Sequence, residues 1–404
     1  MKINIFTVTS SLHDKDAVNA VSDEFLSPLQ EALCIDFNMA GADFSTIGTG
    51  GLDLIYVRTG GAEGIFRQLL PGMLAKGIRR FYLLTSGKSN SLPASLEILS
   101  YLRSEGLKGE VLHGNTRYLA SRIKLLLQIE DAFNTLKNKK IGVIGKPSDW
   151  LIASHASARD IKEKLGVEME DIPMEELLKE IAGAKGNTSG PDAPMKKDIT
   201  ASWPGAVKIL EALRAVVEKH GLGALTLRCF DLLTSVGNTG CLALATLNSE
   251  GIPSSCEGDV PALLSMMIAR ALLGKSGFQA NPSRIDTTSG EILFAHCTIP
   301  LDMVDSWCLD THFESGIGVG IHGVFPSGPV TVFKVSGDLG RYYIAEGELI
   351  CNQYEDNLCR TQILVRIDPQ KTRYFLEEPI GNHHIVLPYR CAALLEAFMK
   401  SLQA

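Results

Sequence analysis

The segment SSCEGDVPALLSMM, residues 254–267, places two carboxylates two residues apart, directly before an apolar stretch typical of a helix. Asp259 precedes Val260 and Pro261, and an acid followed by proline is a favourable way to begin a helix. Glu257 lies in an apolar segment that we expect to be buried, where a carboxylate needs a cation or hydrogen-bond donors. The pattern therefore predicts a helix cap at Asp259 and a chemically active carboxylate at Glu257. Asp259 is either a cap alone or part of the same site.

Further potential ligands follow along the chain at Asp286, His296, His383 and His384. Carboxylates and imidazoles without paired cysteines form a mixed ligand set that suits Mn²⁺, Fe²⁺ or Co²⁺ better than structural zinc. His296 lies in an apolar strand, where a histidine can equally be a hydrogen-bonded core residue. Adjacent residues of a strand point to opposite faces, so at most one of the paired histidines is expected to enter one site.

A glycine pattern in GIGVGIHG fits the dinucleotide-binding fingerprint in its letters, at Gly318, Gly320 and Gly323. The fingerprint requires a helix to begin within it. Here FPSGPVTVF follows, which favours another strand. We therefore predict a tight loop and no dinucleotide cofactor.

The elements that must position these residues form three predicted domains in an α/β protein. Residues 1–138 alternate β-leaning runs with amphipathic helical stretches, which indicates a parallel sheet in a Rossmann-like or flavodoxin-like domain. The alternation restarts at KKIGVIG, which predicts a second α/β domain over residues 139–275 that carries CEGD. Residues 276–404 show successive strands and one terminal helix, typical of an antiparallel sheet or barrel.

Two local features of the second domain are less regular. The apolar run GCLALATL is interpreted as a further strand. The stretch GAKGNTSGPDAPMKKDITASWPG is rich in glycine, proline and serine, and it predicts an exposed, mobile loop.

The composition and charge of the chain argue against several classes of protein. The 404 residues carry a net charge of −7 with mixed signs and no basic block, so no nucleic-acid partner is expected. No apolar run approaches the roughly 20 residues of a membrane span, so no membrane association is expected. The nine cysteines include no C-x-x-C motif, which predicts reduced thiols in a cytoplasmic protein.

Four segments together resemble a known family: CFDLLTSVGNTGCLALATLNSEGIPSSCEGDVPALL, ANPSRID, FAHCTIP and GNHHIVLPYR. They are similar to the L-fucose isomerase and L-arabinose isomerase superfamily, and most similar to its shorter fucose isomerase-like branch. The resemblance implies two α/β domains followed by a mostly β domain. It also implies a homo-oligomer, a trimer or hexamer, that interconverts a free L-fucose-like or L-arabinose-like aldose and its ketose. Mn²⁺ or another divalent metal would lie between the second and third domains.

The resemblance also implies roles for individual residues. Glu257 would be a metal ligand and a catalytic acid/base, with His296 and His384 as further ligands. Asn281 stands near the place where the family has a second acid, so Asp286 is predicted as the second acidic ligand and catalytic group, with Asn281 and Asp259 as alternatives. Candidates for substrate binding are chosen by position as well: Trp150 and Arg228 follow predicted strands, where ligands commonly bind, and His312 and Glu314 lie near the glycine-rich loop, with Asn281 and His383 as further candidates.

The implied chemistry explains why such residues are needed. Moving a carbonyl from C1 to C2 of a sugar requires a proton to leave C2 and another to reach C1, through an enediol. A divalent metal that bridges O1 and O2 stabilises the developing negative charge, and two acid/base groups transfer the protons. The alternative function is a non-catalytic sugar-binding or regulatory protein on the same scaffold, since fold alone does not guarantee activity.

Overall fold

The computed structural model describes residues 2–186 and 189–402. Two compact units divide the chain, one ending at Asp131 and the other beginning at Ala132. In the described ranges, no helix is both long and apolar enough to cross a membrane. The predicted division into three domains stays a prediction.

The first unit is a five-stranded parallel sheet in the order β2-β1-β3-β4-β5. Apolar side chains of the strands pack on both faces, against α1 and α4 on one side and α2 and α3 on the other. This is the pattern of a parallel sheet covered by helices. The elements are β1 Ile3–Val8, α1 Lys15–Leu33, β2 Phe37–Gly41, β3 Leu52–Val57, α2 Glu63–Ala75, β4 Arg80–Leu84, α3 Ser91–Ser104, β5 Lys108–Leu112 and α4 Thr116–Leu136, the last of which continues past the unit boundary.

The second unit begins with a four-stranded parallel sheet in the order β7-β6-β8-β9. Its elements are β6 Lys140–Ile144, α5 Ala158–Leu165, β7 Glu168–Ile172, α6 Met174–Gly183, α7 Trp203–His220, β8 Ala224–Leu227, α8 Asp231–Val236, α9 Cys241–Ser249, β9 Ser254–Cys256 and α10 Val260–Leu273. The run GCLALATL, interpreted above as a strand, lies in α9 instead. Seven of the nine α9 residues are buried, and a helix buried on all sides lacks the periodicity that would distinguish it from a buried strand.

The rest of the second unit contains a closed antiparallel barrel in the order β10-β11-β16-β15-β14-β17. The predicted change from parallel to antiparallel strands is thereby confirmed. The barrel strands are β10 Phe278–Asp286, β11 Glu291–His296, β14 Pro329–Val335, β15 Tyr342–Gln353, β16 Thr361–Ile367 and β17 His384–Leu387. Beside the barrel strands lie β12 Ser306–Asp310 and β13 Gly320–Val324, which pair with each other, and the helices α11 Pro369–Thr372, α12 Tyr374–Glu377 and α13 Ala392–Leu402.

The polar stretch between α6 and α7 is anchored to β12 over part of its described length. Met195 forms a parallel bridge with Leu309. The Lys196 amide donates to the Leu309 carbonyl at 2.7 Å, and the Leu309 amide donates to Pro194 at 2.8 Å. Residues 187 and 188 of the stretch lie outside the described residues. Composition predicted a mobile loop, whereas these backbone bonds fix residues 194–196 to the strand.

Candidate metal centre

Glu257 follows β9 in a tight turn pressed against the segment after β6. Its φ of +67° lies in the left-handed region, which is uncommon for a residue with a side chain and often marks a functional position. The Glu257 carbonyl accepts from the Ser148 amide at 2.9 Å, and the Gly258 amide donates to Leu227 at 3.0 Å. A Cβ on Gly258 would lie 2.5 Å from the Lys146 carbonyl oxygen, so only glycine fits there. The backbone therefore fixes where the Glu257 carboxylate can lie.

A glutamine of the barrel holds the residue before this turn. Gln279 on β10 is buried, and its Oε1 accepts from the Cys256 amide at 2.8 Å. Its Nε2 donates to the Cys256 carbonyl at 3.4 Å. These two bonds join the end of β9 to the barrel. Gln279 could not be recognised from the sequence, because an isolated glutamine in a strand carries no local pattern.

Glu257, His296 and His383 form a buried cluster. The Glu257 Oε1 atom lies 3.4 Å from His383 Nε2 and 3.9 Å from His296 Nε2. One ligand atom from each of the three residues lies within 4.8 Å of the others. His296 ends β11 and His383 directly precedes β17, and β10 pairs with both strands. The closed barrel thus brings together two histidines that are far apart in the sequence.

The free ring nitrogens of this cluster fit a metal ion. His383 Nδ1 lies 2.9 Å from Asp259 Oδ2, and His296 Nδ1 lies 2.9 Å from Thr298 Oγ1. Each histidine therefore keeps its Nε2 for another partner. His383 Nε2 is buried without a hydrogen bond, which is rare for a buried polar atom in a native protein. One carboxylate oxygen and two imidazole nitrogens can hold a divalent ion such as Mn²⁺, Fe²⁺, Co²⁺ or Zn²⁺.

Electrostatics keep the carboxylate of this cluster ionised. Burial by itself would raise the pKa of Glu257, but the neighbouring His383 and His296 outweigh it and hold that pKa far below its usual range. Burial likewise opposes charge on His383, yet the Glu257 charge and the hydrogen bond to Asp259 raise the pKa of His383 to about 9. Without a metal, the site therefore holds a proton between two carboxylates, which marks a place that favours positive charge.

Three rings extend from Glu257 along one side of the cluster. The half-exposed Trp150 donates from Nε1 to Glu257 Oε2 at 2.7 Å. Trp150 meets Phe230 edge to face at 5.0 Å, and Phe230 meets His312 in the same way at 5.6 Å. Burial, with a smaller effect of His296, lowers the pKa of His312 to about 4, so this imidazole is neutral near pH 7. Such a row offers apolar faces and polar edges, as a sugar requires.

Glu314 and Arg228, two other predicted substrate-binding residues, have different surroundings. Burial, with a smaller effect of the Glu257 charge, raises the pKa of Glu314. Arg228 donates to Asp149 at 2.7 Å, to Asp231 at 3.0 Å and to the Pro147 carbonyl at 2.8 Å. Arg228 therefore holds the segment after β6 that packs against the Glu257 turn.

Asp286 is not brought to the cluster. It ends β10 at the tip of the β10–β11 hairpin, opposite Glu291, where its carboxylate accepts from the Thr288 amide at 2.8 Å and Ser289 Oγ at 2.9 Å. Hydrogen bonds from Thr288 and Ser289 lower the pKa of this exposed carboxyl. His296 lies five residues along β11 from the tip, or roughly 17 Å at the rise of a strand. The Asp286 side chain caps the turn of this hairpin.

His383, and not His384, faces Glu257. His384 Nε2 lies 3.0 Å from the Tyr374 hydroxyl and Nδ1 lies 3.0 Å from the Asn382 carbonyl, so both ring nitrogens have partners. Burial, with the nearby charge of Lys334, lowers the pKa of His384 to about 3. The two adjacent histidines point in different directions, as expected, but the one that faces Glu257 is His383 and the expected ligand was His384. Asn281 pairs with Ala295, the residue before His296, and accepts from Asn382 at 3.1 Å.

Comparison with known proteins adds a chemical context to this geometry. No family model matches the chain. It is similar to the sulfoquinovose isomerase of Clostridium sp. (strain MSTE9), with 27% identity over 237 residues that cover 53% of this chain and 51% of the relative. The sulfoquinovose isomerase of Priestia aryabhattai is 25% identical over 262 residues, which cover 61% of this chain and 59% of the relative. The chain thus spans about half to three fifths of the length of these curated relatives.

Proposed function

We propose that this protein is a divalent-metal-dependent aldose–ketose isomerase that acts on a sugar. The observation that carries the proposal is the buried Glu257–His296–His383 cluster, in which His383 Nε2 faces Glu257 at 3.4 Å and makes no hydrogen bond. Similarity to two proteins named as isomerases of a sugar supports the reaction class. Glu257, His296 and His383 would hold the metal, for which Mn²⁺ is the first candidate, and positions around it would remain for substrate oxygens.

The proposed chemistry assigns proton transfer to residues of this chain. A bound divalent metal would act as a Lewis acid on the neighbouring oxygens of the sugar. Glu257 is proposed to take a proton from the carbon next to the carbonyl, while the Trp150 indole holds its Oε2 atom in place. Glu314, whose pKa burial and Glu257 raise, is proposed as the second acid/base group in the role first expected of Asp286.

The substrate class rests on the row of rings and on the relatives. Trp150, Phe230 and His312 would contact the C–H face of a sugar, with its hydroxyls directed to the polar edges of the site. Sulfoquinovose is the candidate substrate suggested by the names of the relatives, and L-fucose and L-arabinose are suggested by the resemblance of the sequence. Assembly as a homo-oligomer remains part of the proposal.

The decisive experiment follows solvent deuterium into the sugar. Purified protein with Mn²⁺ is incubated in D₂O with sulfoquinovose, L-fucose, L-arabinose and other aldoses, and NMR measures ketose formation and deuterium at C1 or C2. Glu257→Gln should reduce turnover by at least about a thousandfold, since it removes both the base and an anionic ligand. Asp286→Asn, a matched loss of one carboxylate, should change turnover less than twofold. Normal turnover in the Glu257→Gln variant would refute the assignment.

A second candidate function, a sugar-binding protein without catalysis, is favoured by one observation. Within the described residues, the potential metal cluster contains a single carboxylate, whereas the resemblance implies two acidic ligands. The same NMR experiment separates the two functions. Sugar-dependent chemical-shift changes in the protein without deuterium uptake or ketose would support the binder and reject the isomerase.

A further inference from the structure

A buried ion pair lies on the Nδ1 side of His383, and Asp259 is the member that contacts the ring. Asp259 and Lys334 are both 0% exposed. Asp259 Oδ2 lies 2.9 Å from His383 Nδ1 and 3.5 Å from Lys334 Nζ. Removing two charges from water costs several kcal/mol per ion, which a pair recovers only with good geometry and further hydrogen bonds. A pair placed directly behind a potential metal ligand therefore calls for a functional explanation.

Each carboxylate oxygen of Asp259 accepts a hydrogen bond. Oδ1 accepts from the Ala262 amide at 2.8 Å and thereby caps α10, as the sequence predicted. Oδ2 accepts from His383 Nδ1 and contacts Lys334. A carboxylate can only accept hydrogen bonds, so the proton on His383 Nδ1 is fixed and Nε2 is the nitrogen left for a metal. A hydrogen bond from the second ring nitrogen orients most metal-binding histidines.

We propose that Asp259 and Lys334 form a positioning pair that holds His383 in the Nδ1–H tautomer, with Nε2 directed at the proposed metal position. Lys334, 3.5 Å from Asp259 Oδ2, supplies the positive charge that balances Asp259 where both side chains are fully buried. Asp259 in turn fixes the ring orientation and the tautomer of His383. The effect on metal binding rests on the function proposed above, whereas the tautomer and the charge balance can be measured without a metal.

The capping bond makes Asp259→Asn a sharp test. Asparagine is as good an N-cap as aspartate, so the amide oxygen should stay on the Ala262 amide. The amide NH₂ then replaces Oδ2 and donates to His383 Nδ1, which forces the proton onto Nε2. That tautomer cannot bind a metal through Nε2. We expect Mn²⁺ affinity to fall about 10- to 100-fold.

The first measurement is the tautomer of His383. Long-range ¹H–¹⁵N spectra of metal-free protein at pH 10, with the His383 signals assigned by His383→Gln, should show Nδ1–H in the unaltered protein and Nε2–H in Asp259→Asn. Isothermal titration with Mn²⁺ at neutral pH gives the affinities. Retention of Nδ1–H or of normal affinity in Asp259→Asn would overturn the proposal. If that variant does not fold, Asp259→Ser keeps the cap but cannot reach His383, and a pure Nδ1–H tautomer there would equally overturn it.

A double-mutant cycle tests the role of Lys334. Lys334→Met leaves Asp259 without its compensating cation, so the Tm of this variant should lie well below that of the unaltered protein. In the Asp259→Asn background the same substitution removes a cation from beside a donating NH₂, so it should cost little or raise the Tm. Arg360→Met is the matched control, because Arg360 is buried beside Asp310 at 3.5 Å, and its cost should be the same in both backgrounds. If the Tm losses of Lys334→Met and Asp259→Asn simply add in the double variant, Lys334 does not act through Asp259 and is not part of the positioning pair.

These measurements separate this inference from the proposed function. If the unaltered protein bound no divalent metal, the isomerase proposal would fail, while the tautomer and the Lys334–Asp259 coupling would still decide the inference. If the protein bound Mn²⁺ and isomerised a sugar with Asp259→Asn as well as without it, the inference alone would fail.

Discussion

At the scale of single residues, Glu257 divides its two oxygens between different partners. Oε1 faces His383 and His296, and Oε2 accepts from Trp150. The indole donor removes rotational freedom from the carboxylate and directs one oxygen to the histidines. Trp150 was expected to bind substrate from its position at a strand end, and its bond to Glu257 gives it a second role that the sequence did not indicate.

Trp150→Phe should therefore impair the reaction without removing the aromatic face. A hydrogen bond to a charged group contributes about 1.5–3 kcal/mol, and half-exposure of Trp150 favours the lower end, so kcat/KM should fall roughly tenfold. Steady-state kinetics measure this change. The control is Trp203→Phe, which also loses an indole bond, at 3.0 Å to the Ser189 carbonyl. Equal losses in both variants would contradict a specific role for Trp150.

At the scale of elements, ion pairs anchor the C-terminal end of α7. His220, its last residue, lies between Glu176 at the start of α6 and Glu170 on β7, with nitrogen–oxygen distances of 2.7 Å to each. The bonds to Glu176 and Glu170 raise the pKa of His220 in the folded protein. A cationic residue at a helix C-terminus also interacts favourably with the helix dipole. These contacts join α6, α7 and β7 of the second unit.

The raised pKa of His220 predicts a pH-dependent contribution to stability. The contribution is fully present below the unfolded pKa, about 6.5, and is lost as the pH rises through the higher folded pKa. Because the group is close to solvent, the effect should be about 0.5–1 kcal/mol. Denaturant unfolding of the unaltered protein and of His220→Gln between pH 5.5 and 9 should show two curves that converge with rising pH. A constant or widening gap would contradict the prediction.

At the scale of the whole molecule, all three proposed ligands belong to the second compact unit. Glu257 follows its parallel sheet, and His296 and His383 belong to its barrel. A metal would therefore cross-link the sheet and the barrel of this unit. The closed barrel matters because it brings β11 and β17 to the two sides of β10.

Metal binding should consequently stabilise the second unit selectively. A ligand at a hundredfold excess over its Kd adds about 2.7 kcal/mol to the stability of the state that binds it. Hydrogen exchange with and without Mn²⁺ should show increased protection of β9, β11 and β17, with little change in β1–β5. Glu257→Gln should abolish the protection. Equal protection of the first unit, or protection that survives in the variant, would argue against this site.

The sequence by itself determined the features that depend on local pattern. Alternating strands and helices indicated parallel sheets, successive strands indicated the barrel, and the acid before proline indicated the cap of α10, because hydrophobic period and backbone sterics act over a few residues. Glu257 was recognised as unusual because a carboxylate in an apolar segment needs a partner.

Only the tertiary structure decided which side chains meet. The identity of the histidine facing Glu257 depends on the phase of β17, and a shift of one residue exchanges the two faces of a strand. The hairpin register places Asp286 at the far end from His296, which distance along the chain does not reveal. Gln279, Lys334 and Trp150 gained their roles from contacts between segments up to about a hundred residues apart, where local periodicity carries no information.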